Sequence, residues 1–151
     1  MKRWLLQVTL SLPGIALAAP WSFGEPVTVA GATGSPHYHH LDGAGRQHIA
    51  ASAAEVALVW EDDRSGAPQV YFAVKPRVAE SFSRAEQLST GDEAYEPAIA
   101  FLGHGRWLAA WEQDASIVAR VIDADASGPV ATLSAKGGRQ VTLTADRSGI
   151  M

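Results

Sequence analysis

Three consecutive acidic residues and an arginine lie between two hydrophobic runs in the stretch WEDDRSGAPQVYFAV, residues 60–74. Glu61 with Asp62 or Asp63 could act as general acid and base, because close carboxylates push one pKa upward. The same group, with Arg64, is a candidate ligand-binding site. Adjacent residues of a strand point to opposite faces, however, which separates Glu61 from Asp62. We therefore interpret the cluster first as the polar turn of a hairpin with an internal Asp–Arg contact.

A second group that could do chemistry is the histidine run HYHH at residues 37–40. His37 and His39 share one face of an extended segment, and with His40 they offer imidazoles of the kind that bind Cu(II), Ni(II) or Zn(II). The surrounding stretch GATGSPHYHHLDGAG is loop-like at both ends, and loops often form the rim of a binding site. The run is therefore a candidate metal site, with a ligand-rim surface as the alternative.

Aromatic side chains offer a third kind of chemistry, the stacking of sugar rings. Most of them fall in apolar runs and are expected in the core, because large apolar side chains are buried in sheets that are covered on both faces. Tyr38, in the histidine run, and Tyr95, in the stretch GDEAYEP, are the candidates for an exposed ligand contact.

The N-terminus carries the features of a secretory signal peptide. Lys2 and Arg3 precede the apolar run WLLQVTLSL, which is too short to span a membrane, and ALAAP then supplies small residues before a cleavage site. We therefore expect residues 1–18 to be removed and residues 19–151 to be exported, to the periplasm or out of the cell. No later segment is predicted to be transmembrane.

The composition of the 151-residue chain limits the classes of function. Its net charge of −4 argues against a nucleic-acid partner, which requires a clustered basic face. The chain has no cysteine, so an exported domain must rely on its core, for which 47% hydrophobic residues provide the material. No motif implies a cofactor.

The hydrophobic runs have the length and composition of β-strands rather than of helices. VALVW (56–60) and QVYFAV (69–74) flank the turn DDRSGAP, while WLAAWE (107–112) and SIVARVI (116–122) flank QDA. Such short runs are rich in β-branched and aromatic residues and are interrupted by Gly, Pro and Asp. They predict antiparallel hairpins.

The hairpins belong to a sequence repeat with a period of about 50 residues. Residues 48–62 match residues 98–113 with one residue of gap, and the dipeptide Trp-Glu recurs at 60–61 and 111–112. The stretches SFGEPVTVAG, SFSRAEQLSTG and SGPVATLSAKG also recur, and each ends a predicted strand on a glycine. Four antiparallel strands in each repeat form the unit of a β-propeller blade, so the predicted fold is all-β.

The stretch VWEDDRSGAPQVYFAV, followed by F…LSTG…EPAIA, resembles the repeats of sialidase-like (BNR-type) β-propellers over residues 22–151. In that family a W-x-D-x-R-x-G hairpin leads into an aromatic-bearing strand. The resemblance implies antiparallel four-stranded blades, about two in this chain with the start of a third. Propellers need four to eight blades for closure. We therefore expect the sequence to be a fragment, completed by the remaining blades or by self-association.

These observations favour an exported, non-catalytic binding module for a glycan, a peptide or a protein partner. Two alternatives remain open. A sialidase-type glycoside hydrolase would have its catalytic residues partly outside this chain. A periplasmic metal-binding protein would use His37, His39 and His40.

Overall fold

The computed structural model of the chain describes residues 24–29, 47–123, 127–134, 136–146 and 149–150. In these ranges the regular elements are strands, and none is a helix, which confirms the all-β prediction. The strands are β1 (Ile49–Ala51), β2 (Glu55–Asp62), β3 (Gln69–Pro76), β4 (Glu86–Gln87), β5 (Ala94–Gly103), β6 (Arg106–Gln113), β7 (Ser116–Ile122), β8 (Ala131–Ser134), β9 (Ala145–Asp146) and β10 (Gly149–Ile150).

The first eight strands form two four-stranded antiparallel sheets of the same topology. Sheet 1 has the order β1-β2-β3-β4 and sheet 2 the order β5-β6-β7-β8, so each strand pairs with its neighbour in sequence. Trp60 lies opposite Tyr71 in sheet 1, and Trp111 lies opposite Val118 in sheet 2. Each sheet is open along its edges in the described residues, and each has the strand order that the sequence repeat predicts.

Tight turns with left-handed backbone connect the strands of sheet 2. His104 and Gly105 link β5 to β6 at φ 53° and 73°, and Asp114 and Ala115 link β6 to β7 at φ 51° and 54°. Two consecutive residues with positive φ are typical of the type I′ hairpin, whose twist matches that of the strands. The longer turn between β2 and β3 closes at Gly66, whose N–H donates to the Asp63 carbonyl at 2.8 Å.

The main core lies between the two sheets, which pack face to face. Trp111 and Ile99, from sheet 2, are 0% exposed there, and Val59, from sheet 1, is 1% exposed. Burial of one such side chain stabilises the fold by about 1.5–3 kcal/mol. The full core comprises Ala50, Ala57, Val59, Val70, Phe72, Leu88, Ala94, Ile99, Trp107, Ala109, Trp111, Val118 and Ile122.

A smaller core covers the opposite face of sheet 2. Leu143, which precedes β9, is buried there against small side chains, namely Ala98, Ala100, Ala110 and Ala119. The strands β9 and β10 then pair as a hairpin, with Asp146 opposite Gly149.

One predicted strand does not form. Residues 24–29, within SFGEPVTVAG, pair with no strand, and Pro26 lacks the N–H that a strand ladder requires. The predicted signal peptide, residues 1–18, lies outside the described residues. Within the part of the chain that the structure describes, no helix is long and apolar enough to cross a membrane.

Candidate functional site

Glu61 and Asp62, neighbours at the end of β2, extend to opposite sides of sheet 1. The Glu61 carboxylate accepts a hydrogen bond from the Glu96 backbone N–H at 3.2 Å, on the side of sheet 2. Asp62 accepts from the Trp60 indole N–H at 3.2 Å and from the Arg64 backbone N–H at 2.9 Å, on the other side. The alternation of side chains along a strand therefore separates these two carboxylates, and their geometry is not that of an acid–base pair.

Asp62 and Arg64 form an ion pair at the turn. The Arg64 guanidinium donates to the Asp62 carboxylate and lies 4.8 Å from the centroid of the Tyr71 ring, a cation–π distance. The hydrogen bond from Arg64 holds the pKa of Asp62 below its ordinary value, against the opposing effect of burial. Asp63 contributes its carbonyl to the turn. Arg64 is thus placed on the side of sheet 1 that faces away from sheet 2.

The contact made by Glu61 is repeated one sheet further along the chain. Glu112, its counterpart at the end of β6, accepts a hydrogen bond from the Gln140 backbone N–H. Glu96 and Gln140 share a left-handed conformation, with φ 50° and 59°. A register shift in β5 at Glu96 takes its N–H out of the regular ladder and leaves it available to the glutamate. The glutamate of the recurring Trp-Glu dipeptide therefore binds the backbone at the start of the next unit.

A pocket of about 590 Å³ opens where β5 begins and β6 ends. We call it the acidic pocket, because its walls carry five carboxylates and one guanidinium. The charged side chains are those of Asp92, Glu93, Glu96, Glu112, Asp114 and Arg139. Excess negative charge in a concave site focuses the potential and raises the local concentration of cations.

A buried polar network fixes the linker between the sheets, which forms one wall of the acidic pocket. The Ser89 hydroxyl donates to the Gln69 side-chain carbonyl at 2.6 Å, and the Val70 N–H donates to the same hydroxyl at 2.8 Å. The Gln69 amide in turn donates to the carbonyls of Gly91 and Asp92, both at 3.2 Å. Leaving a buried polar group unsatisfied costs about 1–3 kcal/mol, so this network holds the linker in one conformation.

Tyr95 lies half-buried in the wall of the acidic pocket, and its hydroxyl donates to the Glu93 carboxylate. Burial, this hydrogen bond and the negative charges of Glu93 and Glu61 raise the pKa of Tyr95 to about 12. The phenol is therefore a neutral hydrogen-bonding group near neutral pH. The structure brings the candidates Tyr95 and Glu61 close together, whereas Asp63 and Arg64 do not line this pocket.

The side of sheet 1 that faces away from sheet 2 carries a second cavity, of about 390 Å³ and mostly apolar. We call this side the outer face of sheet 1 and define it by Ile49, Leu58, Trp60 and Tyr71. Leu58 and Trp60 line the cavity together with Val29. Trp60 stacks on Tyr71, with the ring centroids 6.1 Å apart. This cavity thus combines an aromatic wall with three polar side chains, those of His48, Asp62 and Arg64.

The candidate residues of the histidine run, His37, Tyr38, His39 and His40, lie outside the described residues, and their roles stay predictions. Among the residues that are described, no group of three or more His, Cys, Asp or Glu side chains is placed to hold a metal ion.

The sequence pointed to Tyr95 in this pocket but not to the acids around it. Asp92 and Glu93 stand beside Tyr95 in GDEAYEP, so their proximity was visible as a local cluster of charge. Glu112 and Asp114 come from the next hairpin, and the pairing of Tyr95 with Glu112 brings them to the same end of the sheet. Strand register, which the sequence does not display, assembles the site.

No protein-family model, curated protein or solved structure matches the chain. Function is therefore inferred from the contacts and charges of the described residues.

Proposed function

We propose that the chain is an exported binding module of β-propeller type, and that its acidic pocket takes a cationic side chain of a peptide or protein partner. A lysine or arginine of the partner would pair with the carboxylates of the pocket, and the Tyr95 hydroxyl would add a neutral hydrogen bond. The observation that carries this proposal is the charge of the pocket, five carboxylates against one guanidinium.

The propeller part of the proposal is supported by the way in which successive units pack. Sheets 1 and 2 have the same strand order, and the far face of sheet 2 receives Leu143 of a third unit. The junctions use the same contact, from Glu61 to the Glu96 N–H and from Glu112 to the Gln140 N–H. Radial repetition of equivalent sheets is the architecture of a propeller, in agreement with the resemblance to sialidase-like repeats.

The charge of the pocket favours a basic peptide over the other ligands that the sequence suggests. A charge pair about 4 Å apart gains about 4 kcal/mol at the effective dielectric constant of a protein surface, before desolvation. A neutral glycan would gain hydrogen bonds but no such attraction. An anionic sugar, the substrate class of a sialidase-type hydrolase, would be repelled by the carboxylates.

Two matched peptides test the proposal. One carries lysine and arginine, the other carries glutamate at the same positions, and each is titrated into the full chain by calorimetry at low and high salt. We expect the basic peptide to bind, with an affinity that falls as salt screens the charges. Equal binding of both peptides, or binding of neither, would contradict the proposal.

A pair of variants then locates the binding. Asp92→Asn with Asp114→Asn removes two carboxylates from the acidic pocket, while Glu25→Gln with Glu80→Gln removes the same charge from exposed positions elsewhere. We expect the pocket variant to weaken binding of the basic peptide at least tenfold, roughly the 1.4 kcal/mol of a partly screened ion pair. If the control variant weakens binding as much, net charge rather than the pocket attracts the peptide.

The sialidase-type hydrolase and the periplasmic metal-binding protein remain predictions from the sequence. Titration of the full chain with Zn(II) or Cu(II), compared with the variant His37→Ala/His39→Ala, tests the second of them. Loss of binding in the variant would support a metal site in the histidine run, and unchanged binding would exclude those two histidines.

A further inference from the structure

The outer face of sheet 1 and the equivalent face of sheet 2 differ in what covers them. By the sequence repeat, Ile49 corresponds to Ile99 and Trp60 to Trp111. Ile99 and Trp111 are 0% exposed, because sheet 1 packs on them. Ile49 is 56% exposed and Trp60 is half-buried. No other sheet packs on them within the part of the chain that the structure describes.

The packing between units has a direction, since the segment that begins each unit packs on the sheet that precedes it. Ile99, three residues after Glu96, packs on sheet 1, and Leu143, three residues after Gln140, packs on sheet 2. Glu96 and Gln140 are the two residues whose N–H groups the glutamates bind. The same relation between neighbouring units therefore occurs twice. Ile49 holds the corresponding position in the first unit, where it is exposed.

The composition of the outer face is suited to packing against a neighbouring unit. Leu58 and Trp60 line a cavity of about 390 Å³, and Trp60 and Tyr71 form a stacked aromatic pair. The Asp62–Arg64 ion pair and His48 line the same cavity, so a docked sheet would meet this polar group beside the apolar one. Large apolar side chains clustered on one sheet face are typical of an interface rather than of a solvated surface. On sheet 2 the same strand positions are filled by Ala109 and Trp111, and both are fully buried.

We infer that the outer face of sheet 1 is an interface for one further four-stranded sheet of this same repeat, docked as sheet 1 docks on sheet 2. The partner face would present small and β-branched apolar residues, as Ala57, Val59 and Val70 do toward sheet 2. A glutamate at the position of Glu61 would accept an N–H at the start of the first unit. The inference extends the proposed propeller architecture, and it does not depend on the ligand of the acidic pocket.

An extended chain provides the test, in which residues 1–93 are followed by residues 44–151. This arrangement keeps the full chain and places a second sheet 1 behind the first with the natural spacing between units. Trp60→Ala is introduced separately into the upstream and the downstream copy, with Leu58→Ala as a milder variant. Val78→Ala, at a position that is 97% exposed, is the matched control. Folding is measured by urea denaturation, and mass by sedimentation.

We expect the extended chain to be a monomer with one cooperative transition. Trp60→Ala should lower the folding equilibrium constant roughly a hundredfold or more in the downstream copy, where the residue becomes a core residue. The loss should be at least tenfold smaller in the upstream copy, and Val78→Ala should have little effect in either. Leu58→Ala should show the same difference between copies on a smaller scale.

Equal losses in the two copies would overturn the inference, because the added sheet would then not cover the outer face. A concentration-dependent dimer that disappears with Trp60→Ala would also overturn it, since a second copy of the chain would then be the occupant. A broad, uncooperative transition would count against it as well. Peptide binding by the acidic pocket is a separate measurement, so failure of one proposal is distinguishable from failure of the other.

Discussion

Sheets 1 and 2 share one strand order and one internal hydrogen bond, yet equivalent residues have different surroundings. Trp60 donates its indole N–H to Asp62, two residues ahead, and Trp111 donates in the same way to Gln113 at 2.9 Å. Trp111 is completely covered by sheet 1, whereas Trp60 is half-buried. The hydrogen bond is therefore a property of the repeat unit, and the burial is a property of the neighbouring unit.

The polar residue two positions after each tryptophan differs between the sheets, in keeping with what surrounds it. Gln113 lies at the junction of the sheets and donates its amide to the Thr90 carbonyl in the linker. Asp62 lies on the other side of sheet 1 and pairs with Arg64. The neutral amide satisfies both a donor and an acceptor at the junction without burying a charge, whereas Asp62 and Arg64 each keep part of the side chain in solvent.

The largest effect on the free energy of unfolding should come from replacing the two equivalent tryptophans, Trp60 and Trp111. Trp111→Ala should lower the free energy of unfolding by about 3–5 kcal/mol, because it leaves a cavity in the core between the sheets. Trp60→Ala should cost only about 1–2 kcal/mol, since part of the Trp60 side chain is already in solvent. Urea denaturation of the full chain, with the two variants measured side by side, checks the difference.

Equal losses of unfolding free energy in Trp60→Ala and Trp111→Ala would contradict this prediction, because they would mean that Trp60 is as well covered as Trp111. Trp60→Phe and Trp111→Phe are the matched conservative variants. Each keeps an aromatic ring but loses the indole N–H that bonds to Asp62 or Gln113, together with part of the ring volume. We expect both variants to cost less than the alanine variants, with Trp111→Phe the more costly of the two, because the ring volume that it loses is fully buried.

Removal of the two glutamates that join the units, Glu61 and Glu112, should have the next largest effect on the free energy of unfolding. Glu61→Ala should cost about 1–3 kcal/mol, because it leaves the N–H of the buried Glu96 without this acceptor. Glu112→Ala should cost less than about 1 kcal/mol, because Gln140 is exposed and water can replace the carboxylate. Thermal or urea unfolding measures both free energies.

Glu61→Gln and Glu112→Gln are the controls, since the amide oxygen still accepts the backbone N–H. If Glu61→Gln were as costly as Glu61→Ala, the charge of Glu61 rather than its hydrogen bond would stabilise the junction. If Glu112→Ala were the more costly of the two alanine variants, the first junction would not be the better packed one.

Much of the fold could be predicted from the alternation of side chains and from the repeat. The runs around Trp60 and Trp111 became β2 and β6, with the hairpins that their flanking turn residues predict. The role of Glu61 could not be predicted, because its partner is a backbone N–H that a bulge at Glu96 exposes. The acidic pocket was missed for a similar reason. Its carboxylates belong to two separate stretches, residues 92–96 and 112–114, and only the register of β5 and β6 brings the two stretches together.

A smaller effect on stability is expected when the Asp62–Arg64 ion pair, at the outer face of sheet 1, is removed. Arg64 holds the pKa of Asp62 below its unfolded value of about 3.9. A lowered carboxyl pKa contributes stability above that unfolded value, and the contribution is lost as the pH falls through the folded pKa. Arg64→Ala should therefore cost below about 1 kcal/mol at pH 7, a value reduced by solvent screening. The part of the cost that comes from the ion pair should shrink as the pH falls below the unfolded value, while the contact of Arg64 with Tyr71 does not depend on the protonation of Asp62. Urea denaturation at pH 7 and at acidic pH checks the difference.

The smallest effect on stability at neutral pH, and the sharpest spectroscopic one, is expected at Tyr95. Its folded pKa of about 12 exceeds the unfolded value of about 10, so the folded chain holds the phenol proton more tightly. The stability contribution of this group is therefore complete below pH 10 and is lost as the pH rises toward 12. Ultraviolet titration of the tyrosinate band should show a late-titrating component that Tyr95→Phe removes. Glu93→Gln should move that titration to lower pH, because it removes a carboxylate that opposes ionisation. If Tyr95 instead titrates near pH 10 in the folded chain, the phenol is not enclosed by the acidic wall, and the pocket is too open to concentrate a cationic ligand.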